Sequence, residues 1–168
     1  MFNIGLNIDT RLIQTPCRLE RAASTGNVDA LHALGHHNHH VCRDITLAAH
    51  YYRVAADMGH PPSCVALGDI YREGGMGIVV DTSSAFSYYK MAADAGDTDG
   101  LVALGEMWEN GQGVVLVTMT SGVLQQHLAE AARLYGAAAD LGHAVGQSNL
   151  GRMCGARFPT FAFLLCIV

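Results

Sequence analysis

A single lysine, Lys90, stands among nine arginines and 15 acidic residues, and the net charge is −5 with histidine neutral. Nucleic-acid binders display a basic stripe that neutralises phosphates and releases their counterions. The sequence has no such stripe, which argues against a nucleic-acid partner. Charge of either sign is scarce, at 15% of residues, against ~25% in an average soluble domain. Membrane proteins share that scarcity, but no uninterrupted apolar run approaches the ~20 residues a spanning helix needs. The five cysteines (Cys17, Cys42, Cys64, Cys154, Cys166) are scattered, and no two form a C-x-x-C pair. That fits neither a secreted disulfide framework nor a zinc ribbon; they read as small apolar side chains. Met1 to Arg11 carries no basic stretch followed by an apolar one, and the chain has no N-x-S/T sequon. The expected compartment is therefore reducing, the cytoplasm by default. Catalytic motifs are missing too: there is no H-E-x-x-H, no P-loop and no G-x-G-x-x-G after a strand.

What the sequence has instead is small residues, 23 Ala and 19 Gly, arranged in a repeat. The segment Ala48 to Gly59 recurs as Ala85 to Gly96 and as Ala131 to Gly142. Ala48/Ala85/Ala131, Tyr52/Tyr89/Tyr135, the Ala pairs that begin at Ala55, Ala92 and Ala138, Asp57/Asp94/Asp140 and Gly59/Gly96/Gly142 match throughout. A degraded copy precedes them, with Leu19, Ala22, Ala23 and Gly26 in register. A second element alternates with the first: Ala33-Leu34-Gly35, Ala66-Leu67-Gly68, Ala103-Leu104-Gly105 and Asn149-Leu150-Gly151. Successive Leu-Gly pairs are 33, 37 and 46 residues apart. Periods in this range mark helical-repeat arrays.

Each element reads as a helix. Ala, Tyr and the Ala pair fall at i, i+4, i+7 and i+8, one stripe of a 3.6-residue period. The Gly that ends the element sits where a helix stops in a left-handed C-cap. Gly68 and Gly105 lie inside the other helix, where Gly costs about 1 kcal/mol against Ala. Their recurrence predicts close helix–helix approach, with the aromatic one turn later, Tyr71 or Trp108, filling the adjacent hole. Expected helices run over 28–37, 44–57, 62–72, 83–95, 99–109, 128–141 and 144–154. Gly-rich turns join them, and Asp81, Thr82 or Ser83 is the expected N-cap after the first. Excess length in the third repeat falls within Leu116 to Gln126. The repeat domain is drawn at 17–154, between an undefined N-terminal segment, 1–16, and an apolar tail, 155–168. The tail is too short to span a bilayer, which leaves folding back over the last helix, disorder or membrane attachment.

The paired signatures A-x-x-x-Y-x-x-A-A-x-x-G and A-L-G-x-x-Y-x-x-G-x-G-V resemble the Sel-one-like repeat (SLR) family, relatives of the tetratricopeptide repeats. The resemblance covers roughly Cys17 to Cys154. It implies an all-α fold, an α-solenoid of antiparallel helix pairs in a right-handed superhelix, with about three and a half repeats. It also implies a non-enzymatic scaffold or adaptor that needs no cofactor and binds another protein in a concave groove. Groove positions carried over by the resemblance include Val65, Asp69, Arg72, Glu73, Asp99, Val102, Glu106 and Glu109, with Asp29, His32, His36, Ser148 and Arg152 at the flanks. Acids dominate the centre, which points to a basic or amphipathic segment as partner, with Val65 and Val102 as apolar contacts. Starting and ending in half-repeats leaves apolar faces open to self-association or to further repeats.

Two other chemistries are open. His32, His36 and His40 at i, i+4 and i+8, with His39 close by, would align imidazoles as a metal-responsive site requires; a solvated loop is the plainer reading. Cysteine-rich relatives of the family have been linked to β-lactam hydrolysis, but they bear paired cysteines within repeats, a pattern these scattered ones do not reproduce.

Overall fold

The computed structural model of the chain describes residues 10–75, 77–113 and 121–156. Among them are eight α-helices: α1 (Thr10–Ala23), α2 (Val28–His37), α3 (Ile45–Asp57), α4 (Pro61–Glu73), α5 (Thr82–Asp94), α6 (Thr98–Asn110), α7 (Ser121–Asp140) and α8 (Ala144–Ala156). A short π-helical turn, Asn38–Cys42, extends α2. Every helix packs on its neighbours in sequence, and α4 packs on α6 as well. The result is an all-α solenoid of two layers. The Leu-Gly helices α2, α4, α6 and α8 form one layer, and the Tyr helices α1, α3, α5 and α7 the other. α4 touches α6 directly, and the Leu-Gly layer is the one that the family resemblance makes concave.

Local chemistry ends each Tyr helix in the same way. Gly26, Gly59, Gly96 and Gly142 all have φ between +80° and +83°. The N–H of each Gly donates to the carbonyl of the second Ala of the pair, as from Gly59 to Ala56 at 2.8 Å. The following N–H donates to the first Ala carbonyl, as from His60 to Ala55 at 3.1 Å. This is a Schellman C-cap, repeated four times. Asn27, Asp44, Asp81 and Asp97 then cap the N-termini of the helices that follow them. The Asp81 carboxylate accepts from the Ser84 hydroxyl and from the N–H groups of Ser84 and Ser83, and these bonds hold its pKa below the ordinary value.

α1 starts at Thr10, inside the N-terminal segment that the repeat pattern leaves undefined. α7 starts at Ser121 rather than Leu128, and part of the excess length in the third repeat is therefore extra helical turns. Leu116 to Thr120 and most of the apolar tail lie outside the described residues. No helix among the described residues is long and apolar enough to cross a membrane.

Candidate functional site: the concave face

The face is built on a glycine–tyrosine lock. A Cβ placed on Gly35, Gly68 or Gly105 would lie 2.6–2.7 Å from the ring of Tyr52, Tyr89 or Tyr135 of the same repeat. Removal of that Cβ lets the tyrosine cross the Leu-Gly helix, and all three rings are buried. Close approach is thus confirmed, but the hole is filled by the Tyr of the partner helix, not by Tyr71 or Trp108. Those two turn the other way. Tyr71 stacks on Tyr88 and bonds Arg53, while Trp108 meets Phe86 and His127 edge-on.

The tyrosine hydroxyls reach the acids of the concave layer. Tyr89 donates to Asp69 at 2.6 Å, and Tyr135 donates to Glu109 at 3.1 Å. Burial lifts the hydroxyl of Tyr52 to about 12 and those of Tyr89 and Tyr135 further, so they remain donors at neutral pH. Burial also raises the Asp69 pKa, opposed by the Tyr89 hydrogen bond and then by Arg72.

Ion pairs tie successive helices together along this surface. Arg72 on α4 lies 3.3 Å from Asp69 and 3.3 Å from Glu106 of α6, with Glu73 at 3.9 Å. Arg152 of α8 grips Glu109 with two bonds of 2.7 Å. Asp29 and Asp99 face His60 and His143 at 3.4 and 2.9 Å. The structure therefore brings Asp69, Arg72, Glu73, Glu106 and Glu109 together on one surface, with Asp99 at its edge. The acids are partnered rather than bare. Two valines depart from expectation: Val102 is only 7% exposed within the core, and Val65 is half-buried against it. Neither is a free apolar contact, because α4 and α6 approach closely enough to cover both.

The histidines separate into two groups. His36, His39 and His40 pack ring on ring, with centroids 4.3 and 4.5 Å apart, along the π turn. His32 instead joins Ser63 and His60 of the next repeat. The expected i, i+4, i+8 alignment fails because the π turn adds a residue to the helical period and His32 is drawn to its neighbour. Among the described residues, no group of three His, Cys, Asp or Glu is arranged to hold a metal ion. Ser63, His60 and Asp29 have the order of a hydrolytic triad, but Ser63 is fully buried and offers no nucleophile to a substrate. Cys17, Cys42, Cys64 and Cys154 are free thiols.

Among the described residues, one cleft opens between α3 and the loop that enters α5, and another where α5 and α7 flank α6. The larger, about 660 Å³, is lined by Arg53, Tyr71 and Val79 among others. The second, about 430 Å³, has an apolar floor of Phe86, Leu104, Trp108 and Leu134.

Stacked helix pairs, a glycine–tyrosine lock in each, and a polar face that runs along one layer define a helical-repeat binding solenoid. The Sel1 repeat model matches residues 28–60, 61–97 and 121–143, and the chain belongs to that family, whose members generally serve as non-enzymatic protein-interaction scaffolds. Among solved structures, it is similar to a protective antigen of uropathogenic Escherichia coli that displays an SLR fold, at 30% identity and a TM-score of 0.68. That match covers 80% of this chain and 27% of the antigen, so the chain spans about a quarter of that relative's length. A Sel1 repeat protein from Oxalobacter formigenes matches at 27% identity and a TM-score of 0.64, over 80% of this chain and 95% of that one. Cysteine rich protein B of Helicobacter pylori shares the fold at 21% identity and a TM-score of 0.62, over 87% of this chain and 99% of that one. No curated protein matches the sequence significantly.

Proposed function

We propose that the chain is a scaffold that captures another protein on its concave layer, through a basic or amphipathic segment. The observation that carries this reading is an excess of acid on one continuous surface. Among the described residues, Asp69, Glu73 and Glu106 share Arg72, Glu109 pairs with Arg152, and Asp99 faces His143. Glu106 and Glu109 pair with arginines of neighbouring Leu-Gly helices, whereas Glu73 and Asp99 keep about 70% of their side-chain surface exposed and are the groups a partner meets first. Complementary charge steers association and makes it salt-dependent.

The test is capture from native lysate at low and high salt by the wild type and by a Glu73→Lys/Asp99→Lys double variant. Both substitutions are exposed, so helical circular dichroism should be unchanged. Loss of one saturable partner at high salt and in the variant supports the reading, and capture indifferent to both overturns it. Sedimentation of the same samples separates partner capture from self-association through the ends of the array.

A further inference from the structure

Two of the three junctions between concave helices use the same pair of residues. His60 precedes α4 and faces Asp29 of α2; His143 precedes α8 and faces Asp99 of α6. Asp29 and Asp99 occupy equivalent repeat positions, five residues before the Leu of the Leu-Gly pair. At the middle junction the cap is Asp97 and the residue equivalent to Asp29 is Pro62, so partner and cap change together.

The first junction goes further. Asp29 Oδ1 lies 3.4 Å from His60 Nε2, His60 Nδ1 lies 2.8 Å from Ser63 Oγ, and Ser63 Oγ lies 3.0 Å from His32 Nδ1. The Ser63 hydroxyl has one proton for two ring nitrogens, so with both rings neutral it donates to one Nδ1 and accepts from the N–H of the other. One added proton is accommodated: the cationic ring donates to Oγ, and the O–H turns to the ring that is still neutral. A second is not. Both rings would then donate to one oxygen whose own proton has neither ring as acceptor, with two cations at a centroid separation of 5.1 Å.

We propose that Asp29, His60, Ser63 and His32 form a proton-operated latch between the first and second repeats, closed with one added proton or none and released by the second. His32 is faced by Asp29 and His36 from its own helix, the Tyr52 ring from α3, and His60 and Ser63 from the next repeat. Burial first, then His60 and His36, hold its imidazole below the ordinary 6.5, against the pull of Asp29. A base depressed in the folded state is protonated first in the unfolded chain. Stability is therefore complete above about 6.5 and is lost as pH falls through that value towards the folded one. Release removes the side-chain ties that join α2 to the start of α4. The latch stands whatever the concave layer binds.

The experiment is an imidazole and backbone-amide NMR titration of the whole chain and of His60→Asn. His60 makes no side-chain cap bond to α4, so the substitution removes one ring without loss of a cap. In the wild type, His32 should titrate below its ordinary value. The amide shifts of Ala30 and Cys64, one on each side of the junction, should follow the same midpoint. In His60→Asn the His32 midpoint should rise, and the melting temperature should fall less than in the wild type between about pH 7.5 and 5. Amide shifts that ignore His32, or a His32 midpoint unmoved by the substitution, would each overturn the latch.

Discussion

At the scale of single residues, the informative comparison is between glycines in the same kind of helix. Gly68 would gain about 1 kcal/mol of helix propensity as alanine. Its new Cβ would sit 2.6 Å from Cε1 of Tyr89, a ring with no exposed surface to swing towards. Overpacking of that kind costs about 1–3 kcal/mol, so Gly68→Ala should be a net destabilisation. Gly136, within α7, has nothing within 4 Å of a built Cβ among the described residues. Gly136→Ala should therefore stabilise by about 1 kcal/mol. Urea denaturation of both variants checks the pair; stabilisation by both would mean that close approach is not what keeps glycine at position 68. The sign of each effect follows from what stands over the glycine, which propensity alone does not contain.

Among elements, α8 depends most on one contact. It buries Met153 and packs Leu150 against the core, while its polar side meets α6 through the paired Arg152–Glu109 bonds. Glu109 is only 16% exposed in its side chain, and Arg152 is 51% exposed. Solvent screens the outer partner, so the pair contributes roughly 0.5–1 kcal/mol. Arg152→Ala should loosen α8 ahead of the rest of the fold. Hydrogen exchange should show α8 amides accelerated several-fold and α4 amides unchanged; equal acceleration in both would assign Arg152 a global role instead. The caps at this scale were legible from sequence because each is local: Gly59, Gly96 and Gly142 sit at fixed distances from the carbonyls they serve. The repeat pattern predicts α7 only from residue 128, because its first turns lie in the inserted segment, which follows no repeat.

For the molecule as a whole, nearest-neighbour stacking predicts a gradient of stability. The largest core cluster spans α5 to α8, and α6 carries seven buried residues, more than any other helix whose burial is fully described. In a quasi-one-dimensional array, the ends open first. Hydrogen exchange should be slowest in α6 and fastest in α1 and α8. A uniform rate over all helices would show one cooperative unit instead of a stack.

The sequence by itself determined the repeat, the layer to which each helix belongs and the stops between helices. Those depend on spacing along one chain and on the backbone freedom of glycine. Tertiary structure decided the rest, because it depends on which residue of one repeat meets which residue of the next. Tyr89 rather than Tyr71 covers Gly68, since the partner helix approaches from that side. Val102 was expected at the surface and is buried, since α4 and α6 close over it. The acids of the groove carry arginine partners donated across the repeat boundary, from α4 to α6 and from α8 to α6. His32 left the histidine row that helical arithmetic assigned it, because the π turn broke the period and Ser63 of the next repeat offered a buried hydroxyl at 3.0 Å.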